Sequence, residues 1–262
     1  QTFDAVRAEY SRVKGLKADV TYAWSVRTIW GVDGREARQQ ASDGDKVFAT
    51  LAYATPVGTL TGFAYLVDQD EAAVSGFRLS SQTYGLRFAG SRPLSKTVKL
   101  NYAASYARQS DWHRNPENYS ADYFLVDASL DVDALKLGVG WEVLGADSGL
   151  QLTSFQTPLA TLHKFQGFAD KFLTTPPNGV RDLYASAGYG WKEVAGLDAV
   201  TAGITWHRFD SERLDLDYGT EWDAIVSARK GRWIATLKFA DYDADQFETD
   251  TRKVWLELEW VY

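Results

Sequence analysis

The chain has 262 residues, with 28 Lys+Arg against 35 Asp+Glu for a net charge of −7, and neither Cys nor Met. This excludes a disulfide scaffold, a thiolate metal site and a Cys nucleophile, and the acidic balance argues against a nucleic-acid binder. A hydrophobic share of 45% excludes low-complexity disorder. No apolar run reaches the roughly 18–20 residues of a spanning helix. No charged-then-apolar leader opens the chain and no initiator Met is present, as in a processed or truncated chain. Ten Trp and fourteen Tyr are more than a core of this size uses, and such rings favour the membrane–water interface.

In chain order, the dominant hydrophobic period is two. A first strand is predicted near 3–10 and a second over 16–30. In the second, Leu16, Ala18, Val20, Tyr22, Trp24, Val26, Thr28 and Trp30 share one face, and Lys17, Asp19, Thr21, Ala23, Ser25 and Arg27 share the other. Strands follow near 46–54, 59–67 and 77–89, the last being the least regular because Phe77 and Leu79 fall out of phase with Tyr84, Leu86 and Phe88. Val98 to Ala107 alternates next, then 122–130, then Leu135 to Val143 with Lys136, Gly138, Gly140 and Glu142 on the polar face. After a long segment at 145–181 come 182–191, 200–206, 218–229, 233–239 and a final strand that ends on Val254, Leu256, Leu258, Trp260 and Tyr262.

About thirteen antiparallel strands with alternating short and long connections describe a transmembrane up-and-down β-barrel, all-β in class and a single domain over 1–262. A barrel this wide cannot fill its interior with side chains, so the charged and small-residue face lines a wet lumen and the apolar face meets lipid. Closure also removes the exposed edges that so many strands would otherwise carry. Bacterial barrels normally have an even strand number, so an odd count predicts further strands before Gln1 and a complete barrel of about 16–18.

Four segments carry a family resemblance: QTFDAVRAEYS at 1–11, YATPVGTLTGFAYLVDQDE at 53–71, RQSDWHRNPENYSADY at 108–123 and ATLHKFQGFADKFLTTPPNG at 160–179. The chain resembles the alginate-export family of outer-membrane barrels of alphaproteobacteria. That resemblance implies an 18-stranded barrel in the cell outer membrane, a passive channel, and an Arg-rich lumen for an anionic polysaccharide. The residues in inward phase do not have that bias. Ten are basic, Arg7, Lys17, Arg27, Lys46, Arg87, Lys99, Lys136, Arg229, Lys238 and Lys253; nine are acidic, Glu9, Asp19, Asp127, Glu142, Asp182, Glu221, Asp223, Glu257 and Glu259. A conduit for one sign of charge is expected to be more lopsided.

The lumen-lining candidates are therefore Arg7, Lys17, Asp19, Arg27, Arg87, Lys99, Lys136, Glu142, Glu221, Asp223, Arg229 and Lys238, with cross-strand pairing as the plain alternative for each. The lipid-interface candidates are Trp24, Trp30, Trp141, Trp191, Trp206, Trp222, Trp233, Trp260 and Tyr262. Within 145–181, Leu159, Leu162, Phe165, Phe168, Ala169 and Phe172 recur at helical spacing before Pro176, Pro177 and Gly179. A short helix here could fold into the lumen as a constriction carrying His163, Lys164, Asp170 and Lys171, or cap the mouth from outside.

Asp241, Asp243 and Asp245 have the opening spacing of a calcium loop, but Gln246 and Arg252 stand where its glycine and final acid belong. This excludes an EF-hand and leaves a loose Ca²⁺ contact, or divalent bridging to lipopolysaccharide, against the plainer reading of a solvated loop. Asp111, His113, His163 and His207 form no recognisable triad spacing and no G-x-S-x-G elbow is present, so no enzyme and no cofactor is expected. The expected partners are outer-membrane lipid, lipopolysaccharide and a hydrophilic solute or saccharide. An alternative is a plugged barrel that anchors a surface layer or a partner protein through acidic loops such as 210–216 and 241–250.

Overall fold

The computed structural model describes residues 1–35, 39–160, 163 and 165–261. Thirteen antiparallel strands form one sheet in strict chain order. They are β1 (Thr2–Tyr10), β2 (Leu16–Arg27), β3 (Ala41–Thr55), β4 (Gly58–Val67), β5 (Ser81–Pro93), β6 (Val98–Asp111), β7 (Ser120–Val132), β8 (Leu135–Leu144), β9 (Val180–Val194), β10 (Leu197–Asp210), β11 (Asp217–Lys230), β12 (Trp233–Ala244) and β13 (Thr251–Trp260). Every strand predicted from period-two alternation is present. Among the described residues β1 and β13 do not pair with each other, so each leaves one edge unpaired.

The turns at one end are short, at 56–57, 94–97, 133–134, 195–196 and 231–232. Ala195 (φ 52°) and Gly196 (φ 78°) form a two-residue turn with both residues left-handed, as the twist of a tight hairpin requires. The other end carries 28–40, 68–80, 112–119 and the 35-residue loop 145–179.

One face of the sheet is apolar and exposed along its whole width. Val20, Leu51, Leu86, Val126, Val139, Val226, Leu237, Leu256 and Leu258 form its middle band. Trp24, Tyr84, Tyr106, Trp141 and Trp222 lie toward the long-loop end of that face; Tyr53, Tyr189, Trp191, Trp233 and Trp260 lie toward the short-turn end. Trp233 and Trp260 face each other across β12 and β13 with ring centroids 4.6 Å apart. From the level of Trp222 to that of Trp233 the strand advances roughly 26 Å at about 3.3 Å per residue. Strand tilt brings this close to the height of the apolar band of a membrane barrel, about 25 Å.

The opposite face carries the charged and small residues and curls inward, since β1 and β8 line one cavity through Phe3 and Glu142. The main buried cluster is on this concave face, at its long-loop half. Phe155, Ala169 and Phe172 of loop 145–179 pack there against Ala107, Tyr119, Phe209, Tyr218, Ala240 and Tyr242. The Phe172 ring sits 4.5 Å from Phe209 and stacks on Phe247 at 5.3 Å. Burying one such side chain contributes about 1.5–3 kcal/mol. The interior is therefore wet only in part, because the loop fills much of its upper half with an aromatic core.

Two sequence expectations change at this level. The second strand ends at Arg27, not at residue 30, and its pairing with both neighbours shifts register between Ala23 and Ser25. Trp24 is the bulged residue, and a bulge reverses the phase beyond it. Val26 consequently pairs with inward-facing Phe3 and is buried, while Arg27 turns to the outer face beside Asp4, 3.6 Å away. Arg27 is thus not a lumen residue. Trp30 follows the strand and lines a small crevice with Val26 and Leu159 instead of sitting in the lipid-facing row. Trp206 stays in outward phase opposite Trp222, and Tyr262 is outside the described residues.

The second change concerns 159–172. The described residues there form turns and bends, with a 3-10 turn at His163 and no α-helix; Leu162 of the predicted spacing lies outside the described residues. Gln166 (φ 52°), Gly167 (φ 81°) and Asp170 (φ 58°) are all left-handed, which no right-handed helix tolerates.

Candidate functional site: the loop-narrowed interior

The inward phase of β8 to β11 sets four carboxylates and one imidazole side by side. Glu142 lies opposite Asp182, and His207 lies opposite both Tyr184 and Glu221; Asp223 follows two residues further along β11. His207 Nδ1 lies 2.9 Å from Asp182 Oδ1 and its Nε2 lies 3.7 Å from Asp223. The imidazole stacks on Phe209 with planes 9° apart. Glu221 and Asp223 are buried, so they line no open lumen.

What covers them is loop 145–179. The backbone N–H of Phe168 donates to Asp223 Oδ2 at 2.9 Å, and that of Ala169 donates to Glu221 Oε1 at 2.6 Å. Gln166 Nε2 donates to Glu142 Oε2 at 2.5 Å, while Tyr123 donates to the other oxygen of Glu142 at 2.6 Å. From the far side, Lys253 on β13 donates to the Ala169 carbonyl at 2.5 Å and reaches Asp170 at 3.3 Å. A second attachment lies on β6, where Gln109 accepts from Gln156 N at 2.7 Å and donates to Gln156 O at 2.9 Å. Hydrogen bonds to carboxylates are among the stronger ones in a protein, at about 1.5–3 kcal/mol each.

Gly167 is the pivot of this arrangement. Its φ of +81° suits glycine, and a Cβ there would fall 2.5 Å from Glu221 Oε2. The backbone can approach the carboxylate only because no side chain intervenes.

The predicted constriction residues are thus partly brought together. His163 sits against the inner wall with its ring 5.3 Å from Phe168 and 5.0 Å from Trp255, and its Nδ1 is 2.9 Å from Asp170. Lys171 lies 3.8 Å from Glu248 and over the Tyr242 ring. Lys164 is outside the described residues. The loop enters the concave side and does not cap the mouth.

The remaining predicted lumen residues lie nearer the short-turn end and are mostly paired. Arg7 binds Asp19 at 2.9 Å and Glu9 at 2.6 Å, and Lys17 binds Glu9 at 2.9 Å. Lys238 meets Glu257 at 2.7 Å, Lys136 meets Asp131 at 3.8 Å, and Arg87 donates to Ser105 at 3.0 Å. Arg229 donates to the Gly231 carbonyl at 3.3 Å, and Lys99 holds the inward position opposite Asp131. Asp241 is engaged by Arg252 at 2.8 Å on the outward phase, and among the described residues no three carboxylate or His groups gather as a metal site around Asp241, Asp243 and Asp245.

Sequence reasoning did not single out Gly167, the Phe168 and Ala169 amides, or Gln109. A Gln-Gly dipeptide inside a long apolar-spaced segment was the available signal for a tight backbone approach.

No family model matches the chain, and no curated protein matches it. Solved structures do share its fold. OccK9 (OpdG) of Pseudomonas aeruginosa superposes with a TM-score of 0.71 at 14% identity, covering 98% of this chain and 66% of that one. OpdQ of the same organism gives 0.65 at 15% identity, covering 98% and 72%. The outer membrane protein OprD from Pseudomonas aeruginosa gives 0.65 at 12% identity, covering 97% and 67%. The chain therefore spans roughly two thirds of the length of these structures and has their all-β antiparallel barrel fold.

Proposed function

We propose that this chain forms part of an outer-membrane channel that passes a hydrophilic solute without covalent chemistry or cofactor, its bore narrowed by loop 145–179. The observation that supports the reading is one sheet with two opposite solvents. Its outer face is apolar and belted by aromatic rings at both ends, and its inner face is charged and carries the inward-folded loop. Contiguous apolar surface directed outward, with charges directed toward an interior, is the arrangement of a membrane barrel. Its likeness in fold to an outer membrane protein points the same way. The finer assignment, to an alginate-export-like channel for oligo- or polysaccharide, rests on the four sequence segments. The near balance of inward charge favours a solute of low net charge.

One observation favours a second reading. Loop 145–179 is fastened from β6 to β13, as a plug would be. A plugged barrel would bind lipopolysaccharide or a surface partner through acidic loops and a loose Ca²⁺. Single-channel recording of the refolded full-length protein in a planar bilayer separates the two. Stable open steps at asymmetric salt support the channel, and silence from a demonstrably folded barrel overturns it.

A further inference from the structure

Two carboxylate oxygens at the seat of the long loop have no partner. Glu221 Oε1 accepts from the Ala169 amide and Asp223 Oδ2 from the Phe168 amide. Among the described residues, Glu221 Oε2 and Asp223 Oδ1 are buried and accept from nothing. The two side chains share the inward phase of β11, are 0% and 2% exposed, and bring their carboxyl groups within hydrogen-bond reach of each other. An unpaired polar atom is costly to bury, and two ionised carboxylates buried side by side cost more.

The charged and titratable neighbours are all engaged elsewhere. On β10, His207 stands opposite Glu221, but its Nδ1 is held by Asp182 at 2.9 Å and its Nε2 is 3.7 Å from Asp223, beyond hydrogen-bond range. On β9, Asp182 adds another carboxylate and Tyr184 donates to Asp127. Glu142 of β8 is a further carboxylate, taken by Tyr123 and Gln166. On β12, Tyr242 turns its hydroxyl to the Tyr218 and Phe247 carbonyls, and Lys238 pairs with Glu257. Lys253 of β13 holds the Ala169 carbonyl and Asp170. Within the loop, His163 pairs with Asp170 and Lys171 faces Glu248. One proton between Glu221 Oε2 and Asp223 Oδ1 removes both defects. It makes an O–H···O⁻ hydrogen bond, leaves a single charge on the pair, and leaves Oε1 and Oδ2 to accept the loop amides.

We propose that Glu221 and Asp223 share one proton while loop 145–179 is docked, and that loss of this proton at alkaline pH releases the loop. The docked state then binds one proton more than the undocked state, in which water solvates both carboxylates, so docking weakens as pH rises. Resting on the channel reading, this makes the loop a gate that widens the bore in alkali. Glu221→Gln separates the proton from the geometry. Its Oε1 still accepts from the Ala169 amide, and its Nε2 donates permanently to Asp223 Oδ1, where the shared proton lies. Asp223→Asn is the converse, with Nδ2 donating to Glu221 Oε2, and it keeps the test readable where Glu221→Gln does not fold.

The refolded full-length protein, its barrel checked by heat-modifiable gel mobility, is treated with one protease at about pH 7 and about pH 10, wild type beside variant. Between the two, cleavage within 145–179 is expected to rise about tenfold more in the wild type than in Glu221→Gln, whose loop stays docked. Infrared difference spectra over the same step are expected to show the wild type losing a protonated-carboxyl C=O band that Glu221→Gln lacks. Parallel cleavage responses, or no such band, overturn the proposal. Protection that follows Mg²⁺ concentration at constant pH also overturns it, in favour of a cation between the two oxygens. Salt conductance measured in parallel keeps the two readings apart. Alkaline release of the loop in a silent folded barrel supports the shared proton and removes the channel, and open steps with parallel cleavage responses overturn the shared proton and leave the channel.

Discussion

Replacing Gly167 by Ala tests the docking of the long loop at its tightest point. Two costs add. Alanine in the left-handed region costs about 1–2 kcal/mol relative to the right-handed one. Its Cβ would also stand 2.5–2.7 Å from both carboxylate oxygens of Glu221, a fully buried side chain that cannot retreat without releasing the Ala169 amide. Loss of that hydrogen bond costs about 1–3 kcal/mol. The sum, about 2–5 kcal/mol, opposes docking of the loop and not the strand ladder, because Gly167 makes no sheet hydrogen bond. At 1.4 kcal/mol per tenfold, the low end raises the open-loop population roughly 30-fold. The assay is limited proteolysis of the folded barrel, followed as the rate of cleavage within 145–179 while heat-modifiable mobility shows the barrel intact. Gly196→Ala is the control; it has a similar φ of +78° but nothing within 4 Å of the added Cβ, and it lies in a short turn at the other end. A cleavage rate in Gly167→Ala equal to that of Gly196→Ala would refute the assignment of Glu221 as the seat of the loop.

Three further outcomes are expected. Lys253→Met removes the contacts to the Ala169 carbonyl and Asp170, and loop cleavage should rise about tenfold, corresponding to one charge-assisted hydrogen bond of about 1.5 kcal/mol; an unchanged rate would mean the lysine is incidental. Val139→Arg, in the middle of the exposed apolar face of β8, should destabilise the bilayer-inserted barrel by about 2–4 kcal/mol in urea titration, and an effect no larger than that of Lys136→Gln on the inner face would count against a lipid-facing exterior. Burial, with nearby Asp43 adding to it, holds the Glu71 carboxyl in loop 68–80 above the ordinary glutamate range. A raised carboxyl binds more protons folded than unfolded, so the packing of 68–80 weakens as pH rises above that range. Hydrogen exchange in 68–80 should accelerate over that interval more in the wild type than in Glu71→Gln measured at the same pH values, and identical profiles would exclude Glu71 as the source.

Much of the fold was legible because strand alternation is a local property. Each of the thirteen strands announces itself by side chains two residues apart, and the choice between the two faces follows from charge and size alone. The inward positions of Arg7, Lys17, Asp19, Lys136 and Lys238 and the outward ones of Trp141, Trp222, Trp233 and Trp260 needed nothing more. Arg27 and Trp30 depart from simple alternation because a bulge at Trp24 is decided by the spacing of β1 and β3 against β2, which β2 alone does not encode.

The long loop shows the same division most clearly. Its apolar spacing was visible at Phe165, Phe168, Ala169 and Phe172, and helical period was the natural inference. Those residues are apolar because they face a shared interior, not one stripe of a helix. The Phe168 and Ala169 amides are taken by Asp223 and Glu221, carboxylates more than fifty residues away, and the chain turns left-handed at Gln166, Gly167 and Asp170 to deliver them. By itself the sequence determined that the chain is a long-stranded barrel with lipid on one side and water on the other, since solvent preference is written residue by residue. Only the tertiary structure decided where the interior is filled, because that depends on which distant carboxylates meet which backbone amides once the sheet has curled.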